Sequence, residues 1–360
     1  MKKVIRVVTV LLIMALLVVG TVIGFLTVDE YNPKDIETLD ISGDATDRIK
    51  TGESITLLSW NLGYGALGDN ADFFMDGGRM VYTADQERVI SNLEGDIAEF
   101  NKIAPDIICT QETDRNSDRS YFVDEMEYFM SNSGLSVLHG ENVFAPNLKV
   151  AFIPLPVPPI GKVLSGLALF SRYDISSAQR LKLPCPFKWP LRTFNLKRCL
   201  EVVRFPVEGS GKELVIINLH LEAYDSGEGK IAQAKMLKEV LDAEIAKGNY
   251  VIACGDYNQV FSNTDISAYP VLEGLWEAGR IDVEEFNKDL TFWADNTVPS
   301  CRSLDRALSL APDRSPESFQ YYVIDGFITS SNVEVESVHT DDLSFVTSDH
   351  NPVILRFKLK

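Results

Sequence analysis

Basic residues are in short supply in this chain: 34 Lys and Arg stand against 52 Asp and Glu, for a net charge of −18. Lys2, Lys3 and Arg6 belong to the extreme N-terminus, so everything after them sits near −21. A protein that grips nucleic acid nonspecifically ordinarily presents a basic face. The balance therefore counts against long polyanions as substrates, and it suits a chain that recruits a divalent cation. Cysteine is sparse too. Five are present and none form a CxxC pair, so no zinc-site spacing exists. Cys109 and Cys254 lie inside apolar runs and read as buried core thiols. Cys185 and Cys199 could bridge if they flank a hairpin, and the odd total leaves at least one thiol unpaired. Internal repeats and low-complexity tracts are absent. With 360 residues, 45% of them hydrophobic, the chain reads as one large folded domain behind a short extension.

Only one long apolar run occurs. Val7 to Val28 is 22 residues without a charge. At about 1.5 Å per residue a helix of that length spans about 33 Å, enough to cross a hydrocarbon core of about 30 Å. Basic residues precede it, and Asp29 and Glu30 follow. The positive-inside rule then places residues 1–6 in the cytoplasm, 7–28 across the cell membrane and the rest outside. The alternative is secretion after signal cleavage. A signal core usually runs about 7–15 residues and closes on an A-x-A-like site, which this longer run lacks. Residues 29–52 are polar and turn-rich and read as a linker, leaving 53–360 as the main domain.

Within that domain, short β-branched runs read as strands: 54–60, 106–110, 165–171, 213–219, 250–255, 321–329 and 353–357. Helical spacing appears over 83–103, more weakly over 120–132, and over 228–247, where Ile231, Ala234, Leu237, Leu241 and Ile245 share a face. Strands and helices do not alternate strictly, which predicts an α+β fold with two mixed, largely antiparallel sheets covered by helices. Two stretches, AFIPLPVPPIGK within 143–163 and PCPFKWPLR within 184–195, carry too many prolines for a central strand or helix. They read as apolar loops, either packed on the surface or forming a rim for lipid or a hydrophobic substrate group.

Polar residues stand where each strand ends. SWNLGYG places Asn61, CTQETD places Glu112, and NLHLEA places His220. GDYN places Asp256 and Asn258 on one side of an extended chain; VIDG places Asp325, and TSDHNP places Asp349 and His350. Such groups are costly at the end of a buried strand unless something satisfies them, so they predict a shared cleft. The mixture suits phosphate-ester hydrolysis. Hard carboxylate oxygens hold Mg²⁺, a basic group orients or deprotonates water, and amide and imidazole donors stabilise charge growing on phosphoryl oxygen. A carboxylate at Asp325 holding one nitrogen of His350 would fix the tautomer of that imidazole.

These segments, together with PDIICTQET, SGLALFSRYDI, VIINLHLEA, VIACGDYNQ, YYVIDGFITS and TSDHNPVILRF, resemble the endonuclease/exonuclease/phosphatase superfamily over residues 54–360. That superfamily includes deoxyribonucleases, abasic-site endonucleases, neutral sphingomyelinases and inositol-polyphosphate 5-phosphatases. The resemblance implies a four-layer α/β/β/α sandwich with the site at one end. It implies Glu112 as the principal ligand of Mg²⁺ (or Mn²⁺), Asn61 as its neighbour on metal or phosphate, and Asp349 as a second metal-side carboxylate. Asp256 resembles the residue that positions or deprotonates water, Asn258 a phosphoryl donor, Asp325 the partner of a catalytic His350, and His220 a phosphate-contacting histidine. Either Asp256 or His350 could be the base. Arg198 is a candidate phosphate contact, with Lys197 and Arg204 beside it, and Tyr224 and Asp225 could shape the pocket. His139 and His339 read as structural or surface residues.

Three functions follow from that resemblance. One is a membrane-anchored extracytoplasmic phosphodiesterase acting on a phospholipid headgroup or small phosphoester. Another is an extracellular or envelope nuclease on DNA or RNA. The third is a binding module on an inactive fold, which the full set of candidate ligands argues against. No protein partner is indicated.

Overall fold

A computed structural model describes residues 1–225 and 227–360. Two seven-stranded mixed sheets stack face to face with helices outside them, a four-layer α+β sandwich. The first sheet runs Val333–Thr340, Val353–Leu359, Ile55–Asn61, Ile107–Asp114, Gly161–Ser171, Glu141–Ile153, Ser42–Gly43. The second runs Ile36–Thr38, Ser177–Lys182, Cys199–Pro206, Glu213–His220, Tyr250–Asp256, Asp325–Ser330, Leu290–Trp293.

Both faces of the central strands are buried, and adjacent residues serve different cores. Leu57, Ile107, Leu214 and Ile252 point between the sheets. Leu58 and Ile108 face the helices Gln86–Ile103 and Glu125–Asn132, whereas Val215 and Ala253 face the helix Glu228–Ala246. This period of two explains why the strands read as unbroken apolar runs. Each sheet contains one parallel pair, Leu57 opposite Ile107 in the first and Tyr250 opposite Leu214 in the second. A helix connects the members of each pair, as a parallel crossover requires. The two sheets are also joined by polar groups. Gln111 donates to Asn218 at 2.8 Å, and Asn218 donates to Glu201 at 2.9 Å and to the Thr110 and Ala168 carbonyls at 3.1 and 3.2 Å. Burial pushes Glu201 up to about 8.

Several expectations need correction. Residues 29–52 are more than a linker: Ile36–Thr38 and Ser42–Gly43 extend the two sheets, and Ile49 is buried in the central core. Residues 141–153 form a strand despite Pro146, because the register shifts between Pro146 and Leu148 and the missing N–H falls at that irregularity. Helix Glu228–Ala246 buries Gln233, Leu237, Leu241 and Glu244, while Ile231 is 71% exposed. The two polar members of this stripe are satisfied. Gln233 bonds to Glu222 N–H and the Pro184 carbonyl, and Glu244 pairs with Arg204. All five cysteines are free, and Cys199 contacts Asn147 rather than Cys185. The helix Lys2–Val28 is long and apolar enough to cross a membrane.

Candidate active site

Strand register assembles the cleft. Asp256 pairs across the second sheet with His220 on one side and Asp325 on the other, so three functional groups occupy one row. Asn61 ends the neighbouring strand of the first sheet, opposite Gln111. Glu112 follows at a register shift between Thr110 and Thr113 and has φ of 52°. A non-glycine residue in that region is uncommon. Here the bulge turns the carboxylate into the cleft, where it stays partly exposed.

Two glycines are required by close approach rather than by turning. At Gly255 (φ 138°) a Cβ would collide with the Leu219 backbone carbonyl, and at Gly63 (φ 52°) it would lie 2.9 Å from Asp349 Oδ1. The chain turns instead at Asn258 (φ 50°), so Asp256 and Asn258 do not alternate on an extended strand as expected. Asn258 N–H folds back to donate to Asp256 Oδ1 at 2.8 Å, and its side-chain amide donates to the Leu221 carbonyl at 2.9 Å.

Asp256 Oδ2 is the hub. Asn61 Nδ2 donates to it at 3.1 Å, His220 Nε2 lies at 3.3 Å and His350 Nε2 at 3.7 Å. Asn61 Nδ2 also reaches Glu112 Oε1 at 3.3 Å, so both amide hydrogens serve carboxylates, while Asn61 Oδ1 accepts Gly63 N–H. Asp325 Oδ2 sits 2.8 Å from His350 Nδ1 and accepts Ser300 O–H at 2.7 Å. Burial pushes Asp256 up to about 7 and Asp349 up to about 6; repulsion from Asp325 adds to the first and from Glu112 to the second. Burial also drives His220 well below the usual histidine value, helped by Arg198 and His350. For His350 burial works in the same sense but loses: Asp325, Cys301 and Asp256 hold it well above that value.

The donor set fits a hard divalent cation. Carboxylates of Glu112 and Asp349 both line the cleft and repel one another, and among the described residues the side-chain donor to Asp349 is Ser348 O–H at 3.5 Å, a long contact. Two groupings have ligand atoms within 4.8 Å of one another, Cys301–Asp349–His350 and Asp256–Asp325–His350. Neither is the better candidate, because the Cys301 thiol is pushed up to about 12 by burial and Asp325 is already committed to His350 and Ser300.

Asn61, Glu112, His220, Asp256, Asn258, Asp325, Asp349 and His350 thus come together in one place. Arg198 lines the same cleft, with Nη1 donating to the His220 carbonyl at 3.2 Å and Nε 3.4 Å from Glu222. Lys197 and Arg204 lie elsewhere in role, paired with Glu30 and with Glu213 and Glu244. Tyr224 does shape the mouth, donating to Asp76 at 2.9 Å, whereas Asp225 caps the following helix at Gly229. His139 bonds to the Ser133 carbonyl, and half-exposed His339 faces Asp341. Sequence reasoning missed Ser300, Asp76, Glu222 and Cys301, which sit in segments with no periodicity and gain meaning only through partners distant in the chain.

Solved structures share this fold. An endonuclease/exonuclease/phosphatase from Beutenbergia cavernae DSM 12333 aligns over 85% of this chain and 72% of its own, with 17% identity and a TM-score of 0.54. ANGEL2, a 2',3'-cyclic phosphatase, aligns over 90% and 98%, with 12% identity and a TM-score of 0.51. D. rerio TDP2 complexed with single-strand DNA product aligns over 85% and 99%, with 15% identity and a TM-score of 0.50. At these identities the likeness is one of fold. No curated protein sequence matches the chain. The pattern of the Endonuclease/Exonuclease/phosphatase family matches residues 58–350, most of the chain. The chain belongs to this family of phosphoester-hydrolysing, divalent-metal-dependent enzymes.

Proposed function

We propose that the chain is a membrane-anchored, extracytoplasmic phosphodiesterase that uses Mg²⁺ (Mn²⁺ as the alternative) to hydrolyse a phospholipid headgroup or a similar small phosphoester. Residues 1–6 lie in the cytoplasm, 7–28 span the membrane and 53–360 form the catalytic domain, to which part of 29–52 is annexed. The observation that carries the catalytic assignment is the imidazole of His350 flanked by two carboxylates, Asp325 at 2.8 Å and Asp256 at 3.7 Å.

Glu112 and Asp349 would hold the metal, which when bound neutralises phosphoryl charge and eases departure of the leaving oxygen. Asn61 is held as a donor, its amide hydrogens turned to Glu112 and Asp256, so a phosphoryl oxygen entering between these carboxylates would share the amide with them. Two flanking carboxylates favour imidazolium at His350, and an imidazolium donates a hydrogen bond to developing phosphoryl charge. That leaves Asp256 to position and deprotonate the attacking water, with neutral His220 donating to it through Nε2. Arg198 and the free amide hydrogen of Asn258 complete the phosphate contacts.

A phosphoester panel tests the reading, using the full chain in detergent with and without EDTA. Release of headgroup from phospholipid, lost with EDTA and in Glu112→Ala, is the expected result. Absence of hydrolysis on every phosphoester would sink it. Plasmid nicking with no lipid activity would transfer the assignment to the nuclease reading, which the −18 net charge disfavours.

A further inference from the structure

The outer end of the apolar helix is fastened to the domain. Leu26 is buried, and Thr27 Oγ1 accepts the Trp189 indole N–H at 3.0 Å. Asp29 accepts Ala151 N–H at 2.6 Å, and Glu30 lies 3.3 Å from Arg192 and 3.4 Å from Lys197. Trp189, Ala151 and Arg192 belong to the two proline-rich stretches, and Lys197 follows the second by two residues. Wherever the helix leaves a membrane, residues 151–160 and 187–197 are therefore at that level.

Their outward side is apolar: Phe152, Leu155, Val157, Trp189 and Leu191 are exposed, Val157 by 86%. Their inward side supplies Ile153, Ile160, Phe187, Phe194 and Leu196 to the wall of the cleft that ends at Glu112 and His220. Charge is segregated as well. Residues 142–200 contain nine Lys and Arg and one acidic residue, Asp174, in a chain that is otherwise strongly acidic. Lys149 and Lys188 are exposed and, among the described residues, form no ion pair.

We infer that these loops form a collar seated in the outer surface of the bilayer around the helix, and that the substrate is a membrane phospholipid entering along the collar's inner, apolar wall. The inference rests on the anchored phosphodiesterase reading and fixes its substrate class. Pro154, Pro156, Pro158 and Pro159 carry no backbone N–H, so this loop brings fewer unsatisfied donors into an apolar layer than an ordinary loop would. Trp189 has an indole suited to the interface, and the unpaired lysines suit anionic headgroups. Pairing with Arg192 and Lys197 neutralises Glu30 where the helix emerges, which lowers the cost of holding that carboxylate near lipid.

The test uses the full chain reconstituted into bilayers of mixed phosphatidylcholine and phosphatidylserine, with bis-para-nitrophenyl phosphate as a soluble substrate. Brominated acyl chains should quench part of the tryptophan fluorescence, and that part should vanish in Trp189→Phe. Because an aspartate carried into the apolar layer is costly, the double variant Leu155→Asp/Val157→Asp should hydrolyse bilayer phospholipid about tenfold more slowly while cleaving the soluble diester at the wild-type rate. Unchanged lipid hydrolysis in that variant together with no quenching at Trp189 would overturn the collar. A disulfide-trapped dimer of Val157→Cys, with Trp189 unquenched, would assign the surface to a second copy of the chain instead. Cleavage of the soluble diester without any phospholipid hydrolysis by wild type would overturn the lipid assignment and leave the phosphodiesterase standing. Failure on both substrates would remove the phosphodiesterase reading itself.

Discussion

The strand-end cluster and the proline-rich loops occupy opposite ends of one cleft and are built in opposite ways. At the polar end, the central groups are fixed by register: Asp256 lies between His220 and Asp325 because those residues pair across three neighbouring strands. At the apolar end, positions are set by prolines and by contacts with the helix Lys2–Val28, with no central sheet beneath the exposed tips. The first arrangement holds atoms to the tolerance that chemistry needs. The second offers a greasy surface whose job requires area more than angle. Substitutions should accordingly fall into two classes, one that stops turnover on every substrate and one that selects among substrates.

The sharpest break of this contrast is Glu112→Ala. If it supplies the principal metal ligand, kcat/KM should fall by at least about 10³-fold, or about 4 kcal/mol of transition-state stabilisation, on soluble and lipid substrates alike. Retention of activity on either would show that the polar end is not a single machine. Next is Asp325→Asn, which keeps shape but removes the charge that holds His350; kcat should drop by roughly 10²-fold with KM little changed. Ser300→Ala, which deletes the 2.7 Å bond to Asp325 Oδ2 together with the hydroxyl that accepts the Ile324 and Asp325 N–H groups at 3.0 and 3.1 Å, should cost about fivefold in kcat. Steady-state kinetics on one soluble diester would rank the two.

The apolar end should respond differently. Phe194→Ala should raise KM for long-chain phospholipid by roughly tenfold, since losing apolar contact in a pocket costs about 1–3 kcal/mol, and leave a short diester unaffected. Equal loss on both would merge the two regions into one. Away from the cleft, Glu244→Gln provides the control. Burial would raise this carboxyl, yet hydrogen bonds from Arg204, Lys247 and Asn249 bring it down to about 2. Its folded value is thus depressed, so its contribution is fully present above the unfolded carboxylate range and is lost as pH falls toward 2. The variant should be less stable by roughly 2 kcal/mol near neutrality, with the gap in Tm narrowing as pH drops from 6 to 3, and with kcat unaltered.

How much of this was written locally can be judged residue by residue. Asn61, His220, Asp256 and His350 were legible because a polar side chain closing an apolar run needs a reason. Glu112 was legible as a residue but not as a direction, since its aim depends on a bulge against Gly166 and Ala168 of another strand. The strand through Pro146 was hidden because its proline argues against pairing, and only the shifted register resolves the conflict. Residues 36–43 look like linker because edge strands of three and two residues carry no periodicity; they fold by borrowing the edges of completed sheets. The helix Glu228–Ala246 misled for a different reason. Its inward stripe includes Gln233 and Glu244, whose partners lie on remote segments.

The bonds linking Gln111, Asn218 and Glu201 through the middle of the sandwich bear on how such a cleft survives thermal motion. Hydrocarbon surfaces glide over one another at little energetic penalty, and the catalytic groups are split between the two layers: Asn61 and Glu112 ride on one, His220, Asp256 and Asp325 on the other. Amides interlocked in a dry interior work as a detent, because slippage would strand their dipoles without partners. The alignment of the two halves of the catalytic apparatus is then set from beneath, by groups that never meet the substrate.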